Sequence, residues 1–237
     1  MADAFGHAIR DWHLDDLVGP LCDRDGEEVR EHPIEDFYFD PVDPTAEYTA
    51  WLESWLDGPM VDLGAGAGRD ALYFQDSFEV VAIEPSEALV ATMRDRGVDD
   101  ARVGDMFSLR EQFPADRFRS ALAFGTQLCL AGSMQGLRRF LADLAHVTTP
   151  DATAVLNSYD PDADGVADLL GFRPDPTPGL AHRITWFEYG DEVDEALYFR
   201  LFGPDRLREA ADATGWRVAD VVRPTDPIEY RAALEKR

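Results

Sequence analysis

Three acidic residues and one run of glycines carry the chemistry legible in this chain. In MVDLGAGAGRD, residues 60–70, Asp62 precedes Gly64, Gly66 and Gly68. Glu84 lies in AIEP, directly before Pro85, and Asp105 lies in GDMF. Glycine adopts positive φ at little cost and lets a backbone lie against a ligand, so three of them after an apolar run read as a tight cradling turn. A helix starting near Arg69 would aim its free N–H groups and dipole at an anionic group on that turn. A carboxylate at Glu84 can accept both hydroxyls of a ribose in a charge-assisted, bidentate contact. The pattern points to a nucleoside-containing ligand.

Such residues need strand ends to hold them, and the hydrophobic pattern supplies these. Strands are predicted at 60–64, 79–84, 101–104, 118–124, 153–158, 216–223 and 228–235. Helices are predicted from Asp43-Pro44 to Asp57, then at 68–76, 86–96, 134–147 and 204–214. This alternation specifies a parallel sheet covered by helices on both faces. The strand ends at 64, 84 and 105 then line one edge, where ligands of open α/β sheets bind. Residues 160–203 break the rhythm: a Pro- and Asp-rich loop leads to the runs 182–189 and 195–202, which read as an inserted antiparallel hairpin. Residues 1–42 have few clean periods and read as an N-terminal cap, followed by one main domain over 43–237 that carries the insertion.

Composition bounds the partners. The 237 residues include 47 acidic and 22 basic side chains, a formal net charge of −25, and every basic residue except Lys236 is arginine. Such a surface repels itself unless salt screens it, and it resembles the proteins of extreme halophiles. No basic stripe marks a nucleic-acid partner. Cys22 and Cys129 are too few for a disulfide framework or a zinc site, and no other spacing suggests a metal. With no apolar run near ~18 residues and no signal-peptide pattern, the expected protein is soluble and cytoplasmic, away from membranes.

The order and spacing of VDLGAGAGRD, AIEP and GDMF resemble those of the class I S-adenosylmethionine-dependent methyltransferases. The resemblance runs from about residue 45 to the last strand and includes the closing Gly215-Trp216. It implies a Rossmann-like α/β three-layer sandwich with a mostly parallel seven-stranded sheet of order 3-2-1-4-5-7-6, here with a β-hairpin insertion. It also implies S-adenosylmethionine as cofactor. Asp62 and the turn backbone at Gly64, Ala65, Gly66 and Gly68 would then cradle the methionine moiety. Glu84, followed by Pro85, would bind the ribose, Asp105 the adenine amino group, and Met106 would pack on the adenine. Phe124 and Gly125 would flank the methionine and the reacting methyl. Tyr38, in the aromatic string Phe37-Tyr38-Phe39, would either cover the cofactor as a lid or pin a loop to the core.

One departure bears on the acceptor. Family members that methylate exocyclic or amide nitrogens often carry Asn/Asp-Pro-Pro-aromatic after the fourth strand, where this chain has Phe124-Gly125-Thr126-Gln127. A small-molecule acceptor is therefore expected, with no general base nominated by the sequence. A cofactor-binding regulatory or scaffold protein without turnover is the alternative. An NAD-dependent oxidoreductase is more remote, because the G-x-G-x-x-G spacing is missing. His13, His32, His146 and His182 show no ligand spacing and read as structural or solvated, with His182 nearest the expected pocket. Arg183, Trp186, Tyr189 and Arg200 of the hairpin would face either an acceptor or a second subunit, so the chain is expected as a monomer or a homodimer.

Overall fold

The N-terminal segment, weakly patterned in sequence, is regular in the computed structural model, which describes residues 2–223 and 228–237. Helix α1 (Ala4–Leu14) is capped by Asp3, whose carboxylate accepts from the Gly6 N–H, and it ends where Asp15 turns left-handed at φ 61°. Its buried side is Ala4, Gly6, Ala8 and Ile9, mostly small residues. Strands β1 (Cys22–Asp25) and β2 (Glu28–Glu31) pair as a hairpin, and Glu35–Phe39 forms a π-helical turn. CDRD and EVRE are charged on both faces, so no alternation announces these strands.

Helix α2 (Glu47–Trp55) begins later than Asp43-Pro44 suggests. The Asp43 carboxylate accepts from the Thr45 N–H and hydroxyl at 2.8 and 2.7 Å, so this acid closes a turn ahead of the helix. Then follow β3 (Met60–Leu63), α3 (Arg69–Phe74), β4 (Val80–Glu84), α4 (Glu87–Arg96), β5 (Ala101–Val103), α5 (Leu109–Gln112), β6 (Phe118–Ala123), α6 (Met134–Val147) and β7 (Thr148–Tyr159). The insertion contributes β8 (Phe172–Pro174), β9 (Leu180–Tyr189), β10 (Glu192–Val193) and β11 (Leu197–Phe202), before α7 (Pro204–Asp212), β12 (Trp216–Val222) and β13 (Glu229–Lys236).

The main sheet runs β5-β4-β3-β6-β7-β13-β12, which is the expected order 3-2-1-4-5-7-6. The pairs among β3 to β7 are parallel, and β13 lies antiparallel to both β7 and β12. Alternate strand residues serve opposite faces. Val61, Leu63, Val81 and Ile83 pack in the layer holding Leu137, Phe140 and Leu144 of α6 and Leu207 of α7. Met60, Val80, Ala82 and Leu122 pack with Leu52 of α2, Phe74 of α3 and Met93 of α4. Burial on both faces is why these strands read as continuous apolar runs. Trp216 is fully buried and donates its indole N–H to the Leu141 carbonyl at 2.9 Å, which ties β12 to α6.

The inserted hairpin exists as β9 and β11, paired from Leu180↔Phe202 to Thr185↔Leu197, but it is part of something larger. Strand β9 extends four residues beyond that ladder, and β10 and β1 pair with the extension. Asp23 lies opposite Phe187, so the N-terminal hairpin and the insertion form a single six-stranded sheet with β8 also on β9. Among the described residues no helix is long and apolar enough to cross a membrane.

Candidate functional site

Strand β3 is central, and its third residue brings a carboxylate into the layer under α2 and α3. Asp62 pairs in register with Ala82 of β4 and Leu122 of β6 and is 4% exposed. No donor among the described residues is hydrogen-bonded to its carboxylate. Burial, with the charges of Asp70 and Glu84, pushes its pKa well above the usual carboxylate range. A buried carboxylate without a donor is costly unless a ligand supplies one.

The glycine turn follows. The Gly64 and Ala65 N–H groups both donate to the Ile83 carbonyl, at 2.9 and 3.1 Å, which fastens the turn to β4. Gly64, Gly66 and Gly68 have φ of 70°, 57° and 79°. A Cβ on Gly64 would sit 2.4 Å from the Gln127 side chain, and one on Gly66 would sit 3.3 Å from the Tyr38 ring. The glycines therefore serve the turn and also admit two close side chains. Arg96 donates one Nη1 to the Tyr38 carbonyl at 2.8 Å and the Ala67 carbonyl at 2.7 Å, tying the aromatic segment to the turn. Helix α3 is shorter than predicted, six residues, and its first residue Arg69 has a buried Nε with no hydrogen-bond partner.

At the end of β4, Glu84 accepts from the Gly66 N–H at 3.1 Å and the Ser86 N–H at 3.3 Å. Burial raises its pKa to about 7, against the pull of those two amides. Pro85 beside it is exposed. Asp105, also exposed, caps the short turn Met106–Ser108 by accepting from the Phe107 N–H at 2.8 Å, and Met106 is buried. The ends of β3, β4 and β5 thus present the acids singled out in the sequence along one edge.

The end of β6 adds residues that sequence reasoning missed. Gly125 and Thr126 both have positive φ, and the Thr126 N–H donates to Asn157 Oδ1 at 3.2 Å. Asn157 Nδ2 donates to Glu229 Oε1 at 3.1 Å, and Arg231 Nε donates to the same oxygen at 2.9 Å. The Arg231 guanidinium lies 3.7 Å from the Tyr48 ring centroid and 5.3 Å from that of Phe124. Register explains the group: Arg231 pairs with Asn157 across β13 and β7.

The sequence places His182 nearest the expected pocket; the histidine in contact with Tyr38, whose ring borders Gly66, is His32. His32 Nε2 is 3.1 Å from the Tyr38 hydroxyl, and its Nδ1 is 2.6 Å from Asp23. His182 instead contacts Arg200, Asp175 and Tyr198. The hairpin residues expected to face an acceptor or a second subunit make contacts within the chain. Arg183 pairs with Asp23, Trp186 with Glu188, Tyr189 with Asp11 and Arg200 with Asp175. The Tyr38 ring borders Gly66, and its neighbour Phe39 stacks on Trp12.

A sequence profile described as a methyltransferase domain matches residues 61–156, which span β3 to β7. No curated protein sequence matches the chain significantly. Among solved structures, a SAM-dependent methyltransferase from Bacteroides fragilis in complex with S-adenosyl-L-homocysteine superposes with a TM-score of 0.78 at 23% identity, covering 99% of this chain and 95% of its own. The CcbJ methyltransferase from Streptomyces caelestis gives 0.62 at 16% identity, covering 86% and 96%. A S-adenosylmethionine-dependent methyltransferase from Clostridium acetobutylicum gives 0.60 at 10% identity, covering 80% and 88%. These likenesses carry the fold over nearly the whole chain, second sheet included in the first case. Residues 61–156 thus match a methyltransferase domain, set within the fold that these S-adenosylmethionine-dependent methyltransferases share.

Proposed function

We propose that this protein is a soluble, cytoplasmic enzyme that transfers a methyl group from S-adenosylmethionine to a small-molecule nucleophile and releases S-adenosylhomocysteine. The observation that carries the cofactor assignment is a pair of groups beside the glycine turn. Among the described residues the Asp62 carboxylate, 4% exposed, receives no hydrogen bond, and the buried Arg69 Nε has no acceptor, as a zwitterionic methionine moiety would require. Asp62 takes the ammonium and Arg69 the carboxylate, beside a turn whose own amides at Gly64, Ala65, Gly66 and Gly68 are held within the chain. Glu84 accepts the ribose hydroxyls, Asp105 accepts from the adenine amino group, and Met106 packs against the ring. Phe124 and Gly125 border the methyl.

S-adenosylmethionine supplies a methyl carbon already activated by its sulfonium, so positioning an acceptor about 3–3.5 Å away provides much of the rate. Tyr38 over the turn and Arg231 over Tyr48 and Phe124 narrow the approach, which favours a small acceptor over a polymer. The net charge of −25 and the absence of a basic stripe favour the same choice.

Calorimetry on the full chain in concentrated KCl tests the donor: S-adenosylmethionine and S-adenosylhomocysteine bind, NAD does not. Binding of NAD alone would sink the proposal. Labelled methyl transferred to a low-molecular-weight product of a cell extract establishes turnover; a labelled polymer, or persistent absence of product, would replace the small-molecule enzyme with another acceptor class or with a binding protein.

The acidic surface supports a halophilic setting. Raising KCl from about 0.1 to about 1 M shortens the Debye length from roughly 10 to 3 Å, so the melting temperature is expected to climb across that range. A flat or falling melting curve series contradicts this reading.

A further inference from the structure

We propose that the Asp23–His32 pair is the positioning element of the cofactor lid, holding the Tyr38 ring over the glycine turn through the Tyr38 hydroxyl. The inference rests on the reading of that turn as the cofactor cradle and adds a role for the second sheet.

The chain of contacts starts on rigid ground. Asp23 is 8% exposed and stands in the middle of β1, between Arg30 of β2 and Phe187 of β9. One carboxylate oxygen accepts from His32 Nδ1 at 2.6 Å; the other is 3.4 Å from Arg183 Nη2. With Nδ1–H committed to Asp23, His32 Nε2 is the acceptor, and the Tyr38 hydroxyl donates to it at 3.1 Å. Burial, then the charges of Asp23 and Glu84, raise the Tyr38 pKa, which keeps the phenol protonated and able to donate.

The imidazole has little freedom to turn. Phe5, Phe37 and Phe187 meet it edge-on, at centroid distances of 5.9, 5.5 and 5.4 Å and interplanar angles of 80° to 87°. Tyr38 is gripped at its other end by Arg96 through its carbonyl. A phenylalanine would fill the same space over Gly66, so packing alone does not account for a part-buried three-member polar chain. What the chain adds is orientation, because each hydrogen bond polarises the next in a low-dielectric setting. The strand carrying Asp23 pairs with β9, so the insertion and the lid share one support. Entry and exit of the cofactor past Tyr38 would be controlled by a pair of residues that touch neither the cofactor nor the acceptor.

The test uses the full chain. S-adenosylhomocysteine affinity is measured by calorimetry for the wild type, Tyr38→Phe, His32→Gln and the double variant, with Glu84→Ala as the control for the cradle. Losing one neutral hydrogen bond predicts about three- to tenfold weaker binding in each single variant, and no further loss in the double variant because both remove the same contact. In protein labelled with 15N-histidine, the Nε2 signal of His32 shifts in Tyr38→Phe. Unchanged affinity in Tyr38→Phe, which removes one oxygen and leaves the fold intact, overturns the proposal, as does an unmoved Nε2 signal or additive losses. If the wild type binds and Glu84→Ala does not, while Tyr38→Phe binds as the wild type does, only the lid inference fails. If the wild type shows no binding, the cradle reading fails and takes this inference with it.

Discussion

Replacing Asp62 with asparagine is expected to raise the melting temperature of the cofactor-free protein and, in the same variant, to weaken S-adenosylmethionine binding severely. The two effects have one cause. Asp62 is 4% exposed, receives no hydrogen bond within the described chain, and sits near two further acids, Asp70 and Glu84. In the free protein its ionised form is therefore an expense to the fold. Because its folded pKa is raised, stability is full at low pH and is lost as pH rises through that raised value, so the asparagine gains most at alkaline pH. Removing an unsatisfied buried charge is worth about 1–3 kcal/mol, or roughly 2 to 10 °C for a chain of this size. With cofactor bound the balance reverses. A charge-assisted hydrogen bond to the ammonium contributes about 1.5–3 kcal/mol, so its loss weakens binding roughly 10- to 150-fold. Scanning calorimetry at pH 6 and pH 8, paired with titration of S-adenosylmethionine, decides the matter. A variant that melts lower at both pH values and binds as tightly as the wild type would remove Asp62 from the site.

Part of the candidate site was legible in the sequence. Asp62, the glycines, Glu84 and Asp105 each break a local rule: an acid inside an apolar strand, glycines where a helix should start, acids at successive strand ends. Local conflicts of this kind tend to mark function. The alternation of strands and helices over β3 to β7 was legible in the hydrophobic pattern, with α6 at Met134–Val147 as predicted, whereas the seven-stranded order was implied by the family resemblance. The second sheet was not legible. Its β1 and β2 are CDRD and EVRE, and Asp23 meets Phe187 across a separation that leaves no periodic trace. His32 was set aside because its partners, Asp23 and Tyr38, share no metal-ligand or catalytic spacing with it; the hairpin turn and the π-helical turn bring the three together. Arg231, Glu229 and Asn157 depend on the register of the last strand, which fixes facing side chains only once β13 is known to run against β7.

Glu84 yields the second large effect, and here the readout is pH. Its pKa is raised to about 7 by burial, from an ordinary value of 4.5, although the Gly66 and Ser86 amides pull the other way. Only the ionised carboxylate accepts both ribose hydroxyls without donating. Affinity for S-adenosylmethionine should therefore be flat above pH 7 and fall about tenfold per pH unit below it. Stability of the free protein moves in the opposite sense. The native state binds the Glu84 proton more tightly than the unfolded chain, so this contribution is complete below pH 4.5 and is lost as pH rises to 7, an order-of-magnitude difference of roughly 3 kcal/mol. Glu84→Gln, which stays neutral, separates the two. The variant should bind at least about tenfold more weakly at pH 8, lose the pH dependence of binding between pH 5.5 and 7.5, and gain stability relative to the wild type as pH rises through 7. The Gly66 amide retains an acceptor in glutamine, so the turn itself should survive. A wild-type affinity that is constant from pH 5.5 to 8, or a variant that keeps the wild-type pH profile, would show that the ribose is held elsewhere. It would also leave Glu84 as a buried acid serving only the amides of its own turn.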